Sequence, residues 1–203
     1  MTESKLLLAT TNQGKIREIK RLLEGLNLKI ESLADYPELG TCPETGQSFE
    51  ENSRAKSWFY GQNYSGLVLA EDSGLEVDCL GGQPGIYSAR FAGPGATDEE
   101  NIKKLLRCLK GVPLEKRKAQ FVCVVSLASK GKILKTFRGR VRGIILEEPR
   151  GENGFGYDPV FYYPPAMKTF AQLKTSEKNK VSHRARALRK LKKFLFSNYK
   201  KNQ

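Results

Sequence analysis

LVLAEDSGLEVD, Leu67 to Asp78, sets four apolar residues directly ahead of two carboxylates, Glu71 and Asp72. Ser73 and Gly74 follow, then two further acids, Glu76 and Asp78. The stretch from Gly66 to Ala70 reads as a buried strand. Successive side chains of a regular strand face opposite sides of the sheet. Glu71 and Asp72 therefore diverge unless Ser73-Gly74 bends the chain, so that one lines a crevice and the other faces away. Crevices at strand ends are where α/β sheets bind ligands. Carboxylate oxygens suit Mg²⁺, which often bridges to substrate phosphates. The same pattern also fits acids that are simply solvated at a strand end.

The chain around this stretch has 203 residues, which fits one large domain or a two-lobed unit with a sizeable core. No apolar run approaches the roughly 20 residues of a membrane helix. The N-terminal MTESKLLLATTN lacks a long apolar region and a cleavage site, so no signal peptide is expected and a cytoplasmic location follows. Asn63-Tyr64-Ser65 matches a glycosylation sequon that has no meaning without secretion. Cys42, Cys79, Cys108 and Cys123 have no C-x-x-C spacing, so they read as core or surface thiols rather than zinc ligands. The net charge is +13, and Lys174 to Lys201 holds eleven Lys/Arg against Glu177 alone. Such a run fits a solvated helix face or attraction of a polyanion, either nucleotide phosphates or nucleic acid without specificity.

Hydropathy patterning supplies the other elements. KLLLATT, Lys5 to Thr11, reads as a buried first strand. Ile16, Ile19, Leu22, Leu23 and Leu26 share one face of a following helix that ends near Gly25. Ser48 and Glu51 form a capping box that opens a helix reaching about Tyr60. Thr97 and Glu100 form another, ahead of Ile102, Leu105, Leu106 and Leu109, with Gly111 as C′. AQFVCVVSLAS and KILKTFRGRVRGII flank Lys130-Gly131 as an antiparallel hairpin. RGENGFGYDPVF is a glycine-rich loop leading to a short strand. Ser182 caps a last helix with Ala185, Leu188, Leu191 and Leu195 inward. Helices flanking a mixed sheet, an α/β fold without internal repeats, is the expected class.

Two further stretches could carry chemistry. TTNQGK, Thr10 to Lys15, lies between the first strand and first helix. Backbone N–H groups at a helix start point at an anion, and the dipole adds to them. Lys15 offers a point charge and Thr10, Thr11 and Asn12 neutral hydrogen bonds. The spacing is not that of a Walker loop, and an ordinary capped turn fits it as well. In GENGFGYDP, Gly151 to Pro159, Phe155 and Tyr157 can stack on a base and Asp158 can accept hydrogen bonds. His183 is the chain's one histidine, and with no G-x-S-x-G elbow a hydrolase triad is disfavoured.

In this order LATTNQGK, TGQSFEENSRAK, EDSGLEVDCLGGQPGIYSARF, RGENGFGYDPVF and EKNKVSHRARAL resemble the inosine triphosphate pyrophosphatase family, also called dITP/XTP pyrophosphatases. The resemblance implies one catalytic domain over residues 1–203 with a basic C-terminal helix. It implies a two-lobed mixed α/β fold with a central nucleotide cleft, and a homodimer without membrane or specific nucleic-acid partners. It implies Mg²⁺-dependent hydrolysis of ITP, dITP and XTP to the monophosphate and pyrophosphate. Thr10, Thr11, Asn12, Gln13, Gly14 and Lys15 match the phosphate-binding turn. Asp72 matches the proton acceptor and metal ligand, and Ser73 a substrate contact. Phe155, Gly156, Tyr157, Asp158, Lys178, His183 and Arg184 match nucleotide-binding positions, and Lys56 a phosphate-facing lysine. Glu44 is the matching second metal carboxylate, with Glu38 and Glu71 as alternatives. The chain departs from the family in having Glu71 where an aspartate is usual and Pro43 where an acid often precedes Glu44.

From these matches a reaction follows. Water attacks the α-phosphorus, Asp72 or a carboxylate beside it orients the water, Asp72 and a glutamate hold Mg²⁺, and Lys15 and Lys56 add fixed charge. Donors on His183 and Arg184 pair with a 6-oxo group and oppose the 6-amino group of adenine. Nothing in the sequence accounts for discrimination against GTP.

Overall fold

The computed structural model describes residues 4–199. Seven strands form one mixed sheet in the order β2-β1-β3-β4-β5-β6-β7. They are β1 Ser4–Leu8, β2 Leu28–Ser32, β3 Leu67–Val77, β4 Lys118–Ser129, β5 Lys132–Ile145, β6 Phe161–Tyr163 and β7 Lys168–Thr169. Helices are α1 Gln13–Leu22, α2 Phe49–Asn63, α3 Asp98–Cys108, α4 Thr175–Val181 and α5 His183–Tyr199. β1 pairs in parallel with β2 and β3, in a register that sets Leu6 beside Leu67 and Leu8 beside Leu69. β6 pairs antiparallel with both β5 and β7. The mixed α/β class expected from the sequence is the one observed.

The chain divides into two compact units. The first comprises the described residues up to Asp72, Cys123–Gly139 and those from Arg184 on; the second comprises Ser73–Val122 and Arg140–His183. In the first unit the period of two sorts side chains cleanly. Leu6, Leu8 and Leu69 bury against Ile16 and Ile19 of α1 and Leu188 and Leu191 of α5. Leu7, Val68 and Ala70 bury with Tyr60 of α2, and with Tyr64 and Cys42. Each fully buried leucine contributes about 1.5–3 kcal/mol. In the second unit Leu75, Ile102, Leu105, Phe121, Phe161 and Phe170 form the core. Phe121 there stacks on Phe170 and, at 4.7 Å and 14°, on His183.

Local signals mostly behave as read. Asn12 caps α1, its side chain accepting from the Lys15 amide at 2.9 Å. Thr97 and Glu100 close both halves of their capping box. At α2 only half of the expected box forms: Ser48 accepts from the Glu51 amide, while the Glu51 carboxylate turns to the Gln47 amide. α2 also runs to Asn63, past the expected end. Gly61 lies in its last turn, where its carbonyl accepts from the Gly131 amide at 2.8 Å. Lys130 and Gly131 both have positive φ, as a two-residue hairpin turn requires. α3 reaches its C-cap at Leu109, so C′ is Lys110 and Gly111, expected at C′, lies one residue beyond it at φ +79. β2, β7 and α4 are additions that the hydropathy pattern does not announce. Cys42 and Cys123 are buried, and Cys79 and Cys108 exposed, all as free thiols. Lys200 and Lys201 of the basic terminal run lie outside the described residues.

Candidate active site

β3 runs unbroken through Ser73-Gly74, so no bend brings Glu71 and Asp72 together. Glu71 has the parity of Leu69 and faces α1 and α5. Asp72 has the parity of Val68 and Ala70 and faces α2. Their partners in the first unit follow from that split. Arg184 of α5 donates Nε to Glu71 Oε2 at 2.7 Å and Nη2 to Oε1 at 2.8 Å. Its Nη1 donates to Glu18 on α1. Lys15 Nζ stands 3.5 Å from Glu71 Oε1. Arg184 is 1% exposed, the largest of the fully buried side chains. Burial opposes its charge, yet the Glu71 and Glu18 carboxylates hold its pKa well above the ordinary value.

On the α2 side, Asp72 Oδ2 accepts from Asn52 Nδ2 at 3.0 Å. Lys56 Nζ lies 3.7 Å from Asp72 Oδ1 and donates to Glu44 Oε1 at 2.8 Å. Asn52 and Lys56 are one turn apart and so share a helix face. The Asn52 carbonyl accepts from the Gly46 amide at 2.9 Å, which ties the loop carrying Glu44 to α2. Burial raises the Asp72 pKa above the ordinary carboxylate value, against the opposing pull of Lys56 and Lys15. Such a carboxylate is a better proton acceptor than a solvated one.

The donor set fits a divalent cation. Asp72 and Glu44 offer hard oxygens that already converge on one cationic centre, the Lys56 ammonium. Mg²⁺ commonly takes one or two protein carboxylates and completes its shell with water and substrate phosphates. Four carboxylates (Glu18, Glu44, Glu71, Asp72) meet three cations (Lys15, Lys56, Arg184), so the cluster carries one net negative charge. Of the alternatives for the second ligand, Glu71 is committed to the opposite face and Glu38 is exposed. Thr11, Asn12 and Gln13 are exposed and Thr10, Gly14 and Lys15 half-buried at the start of α1. The Thr10 hydroxyl accepts from the Asn12 amide at 3.2 Å.

The second unit gathers the remaining residues singled out by sequence. Asp158, 2% exposed, accepts from the Phe155 amide at 3.0 Å and from Lys178 Nζ at 2.5 Å. Lys178 Nζ also lies 4.8 Å from the centre of the Phe155 ring. A Cβ on Gly154, at φ +83, would fall 2.1 Å from Asp158 Oδ2, so only glycine allows this turn. The Gly156 amide donates to Asp98 at 2.6 Å, fixing the loop to the start of α3. Tyr157 is buried and donates its hydroxyl to the Ser88 carbonyl at 2.9 Å. Of the two aromatic residues expected to stack on a base, Phe155 is the half-buried one. His183 is 5% exposed against Phe121, and Ser73 is half-buried.

Asn52 and Glu18 escaped sequence reasoning. Their helical spacings, four residues from Lys56 and three from Lys15, are the signals that point to them.

Comparison with known proteins places the chain in one family. The model of the Ham1 family matches residues 6–194. The dITP/XTP pyrophosphatase of Bacillus licheniformis is 49% identical over 186 residues, covering 92% of this chain and 95% of that protein. The structure of the Staphylococcus aureus Ham1 protein superposes with a TM-score of 0.86 at 42% identity, covering 96% of this chain and 99% of that one. A HAM1 protein structure from Coxiella burnetii gives 0.87 at 38% identity, with 96% and 99% covered.

Proposed function

Because this chain belongs to the Ham1 family, we infer that it is a nucleoside triphosphate pyrophosphatase that hydrolyses deaminated purine nucleoside triphosphates (ITP, dITP and XTP) to the monophosphate and pyrophosphate. The observation that carries the reading is the buried Asp72, held by Asn52 and faced by Lys56 and Glu44. We take Asp72 as the proton acceptor. Water forms a bond to the α-phosphorus, the bond to the bridging oxygen breaks, pyrophosphate leaves, and the water proton passes to Asp72 Oδ. The raised pKa of Asp72 suits that step. Lys15 and Lys56 supply fixed positive charge for phosphate oxygens. Asp72 and Glu44 would hold Mg²⁺, which when bound neutralises phosphate charge.

Base recognition is assigned to the second unit. Phe155 offers a ring face, and Lys178 and His183 offer donors that suit a 6-oxo purine and oppose a 6-amino group. Arg184 takes a different role from the one its motif suggests. With Nε, Nη1 and Nη2 all donating to carboxylates, it acts as a positioning residue for Glu71 and Glu18. Homodimerisation is proposed from family membership and a cytoplasmic location from the N-terminal sequence, and light scattering tests the first.

The test is a triphosphate panel with Mg²⁺, scored for pyrophosphate against phosphate release. ITP, dITP and XTP should yield pyrophosphate far faster than ATP, and Asp72→Asn should lower kcat by about 10²- to 10⁴-fold. Phosphate as the product, or near-normal turnover by Asp72→Asn, would overturn the assignment.

A further inference from the structure

A cavity of about 630 Å³ opens beside the C-terminal end of α3, lined by Lys103, Leu106, Arg107, Lys110, Gly111, Arg117 and Glu147. All seven belong to the second unit. Four cations thus face one acid. That acid, Glu147, has a side chain 72% exposed to solvent, so its ion pair is weak and easily exchanged. Lys103 also pairs along the helix with Glu99 at 3.2 Å, an exposed contact of the same kind.

Arg117 gives the cavity a fixed feature. It is 4% exposed, with Nε donating to the Val112 carbonyl at 2.8 Å and Nη2 to the Leu109 carbonyl at 3.0 Å. Those bonds satisfy the carbonyl of Leu109, the C-cap of α3, and that of Val112 in the loop beyond it, and lock the guanidinium plane. Nη2 reaches Glu147 at 3.2 Å, and Nη1 makes no hydrogen bond to any described residue. A locked guanidinium with an unused edge loses little entropy on meeting an oxyanion. Arg107 and Lys110 extend the positive potential over the same opening. Leu106 and the aliphatic stems of the basic residues make the remaining wall apolar. A bare phosphate would leave most of this volume unfilled, which lies within the range of about 300–1,000 Å³ typical of small-molecule sites.

We propose that this cavity binds a phosphorylated organic anion, its phosphate on Arg117, Arg107 and Lys110 and its apolar body against Leu106. None of these residues belongs to the hydrolytic cluster, so the site holds a ligand that modulates or is carried by the enzyme rather than one that reacts.

AMP is the probe of choice, since it combines a phosphate with a flat body and is not a deaminated purine. Calorimetric titration of AMP without added metal, with the amide resonances of Gly111 and Val112 followed in parallel, reads the site directly. Wild type should saturate and shift both resonances, and inorganic phosphate should bind about tenfold more weakly. Arg107→Glu/Lys110→Glu should lose at least about tenfold in AMP affinity while retaining ITP turnover. The milder Arg107→Gln/Lys110→Gln pair, checked by circular dichroism, guards against misfolding and should show a smaller loss in the same direction. Unmoved Gly111 and Val112 resonances at millimolar AMP, or equal affinity in the charge-reversed variant, would overturn the proposal. Absence of ITP hydrolysis by wild type would refute the assigned activity and leave this binding result unaffected.

Discussion

Arg184→Met removes the guanidinium that Glu71 and Glu18 share. Three charge-assisted donors disappear at once, from a side chain 1% exposed. The two carboxylates, Glu71 at 2% and Glu18 at 6% exposure, are then left buried, where water replaces the lost bonds poorly. Breaking a buried pair by deleting one partner costs about 3–5 kcal/mol. Lys15, 3.5 Å from Glu71, offsets part of this, so the loss should fall near the lower end, about 3 kcal/mol. With a urea dependence of about 2–3 kcal/mol per molar, the unfolding midpoint should drop by about 1–1.5 M. Far-UV circular dichroism during urea titration reads it. The compensated variant, Arg184→Met with Glu71→Met and Glu18→Met, replaces charge by apolar volume and should recover most of the loss. A single variant within about 1 kcal/mol of wild type, or a triple variant no more stable than the single, would refute the account of a mutually dependent buried cluster.

Three further outcomes follow. Asn52→Ala removes the amide that orients Asp72 and should lower kcat for ITP by about 10- to 100-fold with an unchanged circular dichroism spectrum; unchanged kcat would assign the hydrogen bond to folding alone. Glu31, hydrogen-bonded by Tyr36 at 2.5 Å and Tyr64 at 2.7 Å and paired with Lys29 at 2.9 Å, has its pKa lowered to about 2 from 4.5. A lowered folded pKa gives stability that is full above about 4.5 and is lost as pH falls toward about 2. Glu31→Gln should therefore flatten the dependence of Tm on pH across that window, and an undiminished slope would count against the Glu31 cluster as its source. Gly154→Ala forces a side chain onto φ +83 and against Asp158, which should raise KM for ITP by about tenfold or more through a displaced Phe155 loop; an unchanged KM would sever that loop from substrate binding.

The elements with strong periodicity were legible in advance. α1, α3 and α5 each place apolar residues at helical spacing, and the Lys130-Gly131 hairpin announces itself by a turn between two β-branched runs. β7 was not legible, because two residues show no period; β2 is as long as β1, but its two apolar residues alternate with Lys29 and Glu31 and form no apolar run like that of β1. The terminal basic run looked like a helix face or a polyanion magnet. Its most consequential member, Arg184, is neither exposed nor directed at solvent.

The sequence by itself determined that Glu71 and Asp72 part company. Period two along a strand is a local property of the backbone, and LVLAEDSGLEVD carries enough apolar residues of each parity to fix both faces. Only the tertiary structure decided what each acid meets. The partners of Glu71 are Arg184, 113 residues away, and Lys15; those of Asp72 are Asn52 and Lys56. Which helix covers which face depends on how α1, α2 and α5 close over the sheet. That is a matter of apolar burial, which is non-directional and leaves no mark on the acids themselves.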